Sequence, residues 1–87
     1  GVVDVKVVLD KARLIKLQIP RHITYDELFA RIEDKFKRCS HGENVLKDKI
    51  LVYREPDADG AIVRLEGDFA LGVVLFECPA KVTFFAV

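Results

Sequence analysis

The residues able to do chemistry are few, and most stand alone. Ser40, the only serine, lies between Cys39 and His41. A nucleophile of this type needs a base beside it and a third group that orients the base. Adjacent residues point in different directions and no third member accompanies them, so Ser40 and His41 do not make a triad. Cys39 near His41 has the ingredients of an activated thiolate. The plainer reading, a helix-end thiol beside a solvated loop histidine, is preferred. His22 follows Pro20-Arg21, has no partner at ligand spacing, and reads as an exposed histidine. Cys39 and Cys78 are too few for a disulfide framework or a zinc site. A single Cys39–Cys78 bridge is compatible with the sequence; two reduced thiols are the preferred reading.

Asp57-Ala58-Asp59-Gly60 has the look of a calcium loop, but the spacing is wrong. Such a loop needs glycine at its sixth position and a bidentate glutamate at its twelfth. Here Gly60 follows the second aspartate directly, and Asp68 occupies the twelfth place counted from Asp57. Gly60 and Gly67 form no phosphate-binding pattern. The sequence therefore predicts no catalytic residues, no metal and no cofactor.

The lysines are more informative. Lys6 interrupts an apolar strand, and Lys16 occupies a similar place on the next one. Paired in a hairpin, both ammonium groups would share the outer face of a sheet. Two readings stand level on spacing alone: solvent-facing lysines that protect strands from edge pairing, or a basic patch that receives a partner's acids. On the helix that follows, Glu27–Arg31, Glu33–Lys37 and Asp34–Arg38 are acid-to-base pairs four apart. Such pairs support a solvated helix by about 0.2–0.5 kcal/mol each, which is the preferred account of that face over a docking role for Arg31 and Lys35.

Seven elements are expected to position these groups. Val2 to Leu9 partly alternate, with Val3, Val5, Val7 and Leu9 on one face and Asp4 and Lys6 on the other. After the break Asp10-Lys11-Ala12, residues 13–19 alternate again, and Pro20 ends this second strand of a hairpin. Thr24-Tyr25-Asp26-Glu27 fits a capping box, flanked by Ile23 and Leu28 as a hydrophobic staple. Leu28, Phe29, Ile32 and Phe36 then form an apolar helical stripe ending near Arg38. Residues 40–48 read as a polar loop and Ile50 to Tyr53 as a third strand. Residues 56–60 read as a turn in which Gly60 supplies positive φ, and Ala61 to Leu65 as a fourth strand. Asp68 to Phe76 is expected to be a short helix capped by Asp68, in preference to a strand at Val73 to Phe76. Lys81 to Val87 closes the chain as a fifth strand. The order β-β-α-β-β-α-β is that of an α+β, ubiquitin-like β-grasp roll: a mixed five-stranded sheet with two helices.

Composition sets the class. Eighty-seven residues, 51% hydrophobic and 32% charged, suit one globular domain. The chain starts at Gly1, contains no Met, and is read as a fragment of a longer protein. No apolar run is long enough for a membrane span. The net charge is zero, which argues against a dedicated nucleic-acid or acidic-membrane binder. Yet residues 1–54 hold twelve bases and eight acids, a net +4, while residues 55–87 hold two bases and six acids, a net −4. Such a split suits charge-complementary docking.

Taken together, the residues resemble a Phox-and-Bem-one (PB-one) domain over nearly the whole chain. Val5-Lys6-Val7 and Lys16-Leu17-Gln18-Ile19-Pro20-Arg21 resemble that family's first hairpin, with its signature lysine at Lys6. Thr24-Tyr25-Asp26-Glu27-Leu28 resembles the start of its first helix. The run from Tyr53 to Leu71 resembles its acidic motif: a tyrosine, an Asp-x-Asp-Gly-Asp turn, an apolar strand, then Ser-Asp-Glu-Asp-Leu. The resemblance implies front-to-back pairing, in which one domain's acidic motif docks on another's basic hairpin. Members with only the acidic motif are type I, those with only the lysine type II, and those with both are dual.

This chain departs from that pattern on the acidic side. Ala61 replaces the third acid of the turn, Glu55-Pro56 resembles a small insertion, and Asp68 is followed by Phe69 and Ala70. The implied acidic face is reduced to Asp57, Asp59, Glu66 and Asp68. The implied basic face keeps Lys6, with Lys16, Arg13 and Arg21 nearby. Phe69 is read as a core-facing helix residue in preference to a contact of its own. The expectation is a non-enzymatic, cytoplasmic, type II interaction module with weak dual character, binding another PB-one domain's acidic motif. It would homo-oligomerise only if the acidic face is competent. Its parent would be a signalling scaffold such as a cell-polarity or NADPH-oxidase regulator. The runner-up is a Ras-associating or Ras-binding domain that meets a small GTPase through a basic second strand; a ubiquitin-like modifier is disfavoured because Phe84 to Val87 lacks a diglycine tail.

Overall fold

The computed structural model describes residues 1–39, 44–55, 60–78 and 80–87. The elements are β1 (Val2–Val8), β2 (Leu14–Pro20), α1 (Tyr25–Cys39), β3 (Leu51–Arg54), β4 (Ile62–Leu65), α2 (Asp68–Glu77) and β5 (Lys81–Ala86). This is the expected β-grasp order. The strands form one sheet ordered β2-β1-β5-β3-β4. β1 and β5 run parallel, and the other neighbours are antiparallel.

The first hairpin closes through Asp10. Its carboxylate accepts the Ala12 and Arg13 N–H groups at 2.9 and 2.8 Å, which adds to the backbone bonds from Leu9 N and Asp10 N to Arg13 O at 2.9 and 3.3 Å. Pro20 is the last residue of β2, opposite Val2 on the sheet edge, where its missing N–H costs the ladder least.

Strand alternation then divides the sheet into two faces. Val3, Val5, Val7, Ile15, Ile19, Leu51, Leu65, Val82, Phe84 and Ala86 share one buried cluster with Leu28, Ile32 and Phe36 of α1 and Leu71, Val74 and Leu75 of α2. Each of the Val, Ile, Leu and Phe side chains contributes roughly 1.5–3 kcal/mol by leaving water. α1 lies against β2 and α2 against β4. Both helices therefore cover the same face.

The start of α1 is half a capping box. Thr24 Oγ1 accepts the Glu27 N–H at 3.2 Å. Glu27 does not reach back; its carboxylate holds Arg31 at 2.7 Å, because a charged partner one turn on outcompetes a neutral backbone donor. Ile23 and Leu28, the staple pair, are both buried. Asp34–Arg38 also forms, at 2.8 Å.

Three expectations need correction. Asp68 does not cap α2: the cap position is Gly67, in extended conformation with no side-chain bond, and Asp68 is the first helical residue. Its carboxylate accepts the Tyr25 N–H at 2.7 Å, and so serves the start of α1 instead. Phe69 is not core-facing; it is 87% exposed. Leu71, Val74, Leu75 and Cys78 define the buried side of α2 by their spacing, and a residue two positions before Leu71 falls on the opposite side. The stretch before β3 is not wholly polar either, since Leu46 is only 2% exposed and joins the core. Gly60 takes the expected positive φ, at 59°.

Candidate functional site

The face of the sheet opposite the helices carries the charges, and the register sets their neighbours. Across β2, β1 and β5, one row reads Gln18, Asp4, Lys81 and the next reads Lys16, Lys6, Thr83. A third row, Leu14, Val8 and Phe85, is apolar. A shallow groove of about 500 Å³ runs over the first two rows, lined by Asp4, Lys6, Lys16, Gln18, Lys81 and Thr83.

Lys6 and Lys16 stand directly opposite each other in the antiparallel pair, and both are exposed. Like charges so placed destabilise a hairpin unless a counter-charge arrives. The one acid of the groove, Asp4, accepts a hydrogen bond from Gln18 Nε2 at 2.9 Å. Lys6, Lys16 and Lys81 form no ion pair among the described residues. The arrangement is a set of compact, hydrated cations on a rigid ladder, suited to carboxylates arriving from outside.

Lys81 was not among the basic-face residues read from the sequence. It lies in the acidic half of the chain and far from Lys6 in sequence. The signal available was its parity with Thr83 and Phe85 in the last strand, combined with the parallel β1–β5 pairing that a β-grasp order entails.

The two arginines expected beside Lys6 do not line the groove. Arg13 belongs to the hairpin turn, with Nη2 2.8 Å from Asp10 Oδ2 and Nε donating to the same oxygen at 2.9 Å. The Arg13 guanidinium holds the Asp10 carboxyl below its ordinary value, against the opposing effect of partial desolvation. Arg21 Nη1 donates to the carbonyls of Leu75 and Cys78 at 2.6 and 2.7 Å, and approaches Cys78 Sγ at 3.7 Å. These are carbonyls at the C-terminal end of α2, where the helix leaves acceptors open and a cation is favoured. Arg21 thus pins α2 to the end of β2.

The acidic residues are also partly occupied. Glu66 Oε1 lies 3.0 Å from Arg64 Nε on the surface. Asp68 is bonded to Tyr25 N as described. The Tyr25 hydroxyl is raised above its ordinary pKa chiefly by burial. Asp57 and Asp59, the turn acids, lie outside the described residues, as do Ser40 and His41. Tyr53, the first residue of the motif resembled, packs edge-on against Phe84 at 6.4 Å between ring centroids. Cys39 is exposed at the end of α1 and Cys78 is buried, both as free thiols. No helix among the described residues is long and apolar enough to cross a membrane.

No protein-family profile and no curated protein matches the chain. Among solved structures it is similar to the "AtNBR1-PB1 domain", with a TM-score of 0.67 and 19% identity, over 100% of this chain and 97% of that one. The chain has the fold of a PB-one domain. The likeness extends over the whole of this chain.

Proposed function

We propose that this chain is a non-enzymatic protein-interaction module that takes the acidic motif of another PB-one-type domain onto the sheet face centred on Lys6. The observation that carries this reading is the opposed Lys6–Lys16 pair, flanked by Lys81 and left without an ion pair among the described residues. Two ammonium groups held face to face by the ladder gain most from an incoming carboxylate, and the bordering apolar row of Leu14, Val8 and Phe85 supplies area beside the charges. The role is type II. Asp57, Asp59, Glu66 and Asp68 make up a depleted acidic face with at most weak dual character. The parent is a cytoplasmic signalling scaffold of the cell-polarity or NADPH-oxidase-regulator kind, and the chain self-associates only if that acidic face is competent.

The Ras-binding reading needs a basic second strand. β2 carries Lys16 as its one base, so this reading ranks below the first.

The test is Lys6→Glu, measured by titration calorimetry against PB-one domains that carry the acidic motif. Loss of a desolvated charge pair costs about 2–5 kcal/mol, so binding should fall below detection while the fold persists. Unchanged affinity would falsify the assignment of Lys6. A companion double variant, Asp57→Ala with Asp59→Ala, should bind as the parent does; a large loss would move the acidic face to first place.

A further inference from the structure

α2 is apolar on both sides. Leu71, Val74 and Leu75 face the core, while Phe69 is 87%, Val73 43% and Phe76 88% exposed on the other side. A helix with apolar residues all round is ordinarily buried on all sides. Phe69 and Phe76 are seven residues apart, about two turns, so they stand roughly 10 Å from each other on the same side. Gly72 and Val73 lie between them on that side, and a Cβ built on Gly72 meets nothing within 4 Å. The result is two aromatic posts with a notch between them.

Along α2 itself the charged side chains have one sign, and the bases bonded near its ends, Arg64 on Glu66 and Arg21 on the Leu75 and Cys78 carbonyls, are already engaged. From Glu66 to Cys78 the chain contains Glu66, Asp68 and Glu77 and no lysine or arginine. Asp68 marks the first turn and Glu77 the last, where the helix dipole itself is negative.

We propose that this outer face of α2 is a second docking surface, and that its occupant is a short amphipathic helix of a partner chain with basic residues at its ends. Three observations select that occupant. Phe69, Val73 and Phe76 stand at the i, i+4 and i+7 positions by which helices pack along one another, with Gly72 opening the notch at i+3. The acidic ends call for lysine or arginine on the incoming segment. The exposed area is small: two phenylalanines and half a valine present on the order of 400 Å², about half of what one partner contributes to a standard stable interface. That suits a segment rather than a second folded copy. A two-fold α2–α2 pairing also sets Asp68 of one copy near Glu77 of the other, which repels. The proposal does not depend on the Lys6 reading.

The test uses the whole 87-residue chain. The probe is a synthetic helical peptide with leucines at i, i+3, i+4 and i+7 and two lysines at each end. Its twin carries glutamates in place of the lysines. NMR titration should shift the amides of α2 with the lysine peptide, and the twin should bind at least tenfold more weakly. Phe76→Ala should lower affinity about tenfold, and Phe69→Ala with Phe76→Ala should abolish it. Gly72→Leu, which fills the notch at an exposed helical position, should do likewise with circular dichroism unchanged. Lys6→Glu should leave peptide binding intact. Equal binding of the two peptides, shifts centred on β1 and β2, or an unaffected Phe76→Ala would each overturn the proposal. So would a dimer on gel filtration that Phe76→Ala dissolves, since the occupant would then be a second copy.

Discussion

On the outer face of the sheet, Lys6 meets Lys16 across the ladder and Lys81 stands one row away, none with an ion pair among the described residues. At the start of α2, Glu66 holds Arg64 and Asp68 holds the Tyr25 N–H. The fold therefore treats its two charged regions differently. The sheet-face lysines keep their charges outward, while Arg13 and Arg21 are engaged within the domain. The acidic region engages at least two of its carboxylates within the domain. An isolated charge count does not separate these cases, because the net charge of the whole is zero. What separates them is whether a group's hydrogen-bonding capacity is already satisfied by its own chain.

Several changes would break or sharpen that contrast. The largest expected effect is that of Lys6→Glu on partner binding, described above. Next is Arg21→Ala. If the guanidinium works inward, removing its bonds to the Leu75 and Cys78 carbonyls should cost about 1.5–3 kcal/mol of stability and loosen α2, read by denaturant melts and amide exchange. Partner affinity measured well below the new melting point should hold. A binding loss with unchanged stability would return Arg21 to the basic face. Smaller is Asp68→Ala, which removes the acceptor of an α1 N-terminal amide and should lower stability by about 0.5–2 kcal/mol. Binding through the Lys6 face should be untouched. The smallest is Lys81→Ala. As a peripheral exposed cation it should weaken partner binding by about 0.2–1 kcal/mol, with a reduced salt dependence of the association rate. An effect equal to that of Lys6 would shift the centre of the site onto β5.

Much of the fold was legible because the signals were local. Val3, Val5 and Val7 against Asp4 and Lys6 give a strand with a dry and a wet face, and Thr24 followed by Leu28, Ile32 and Phe36 gives a capped helix. That Lys6 and Lys16 share the outer face also followed from a short hairpin, while their direct opposition came with the register of the ladder. Phe69 misled because the helix pattern around it is apolar throughout, and periodicity cannot choose a buried side where every side qualifies. Asp68 misled because the nearest helix start in sequence was its own, whereas the start it serves belongs to α1. Leu46 gave no periodic signal at all, being a single apolar anchor in a short turn.

By itself, the sequence determined the order of the elements and the hairpin that brings Lys6 and Lys16 to one face. These depend on neighbours a few residues apart, where periodicity and turn chemistry act. The tertiary structure decided which charges remain available. It brought Lys81 beside Lys6 through the parallel pairing of β1 and β5, turned Arg21 onto the end of α2, tied Asp68 to α1, and left Phe69 and Phe76 facing out. Each of these joins residues more than forty positions apart or chooses between equivalent faces of a helix, and only packing of the whole core makes such a choice.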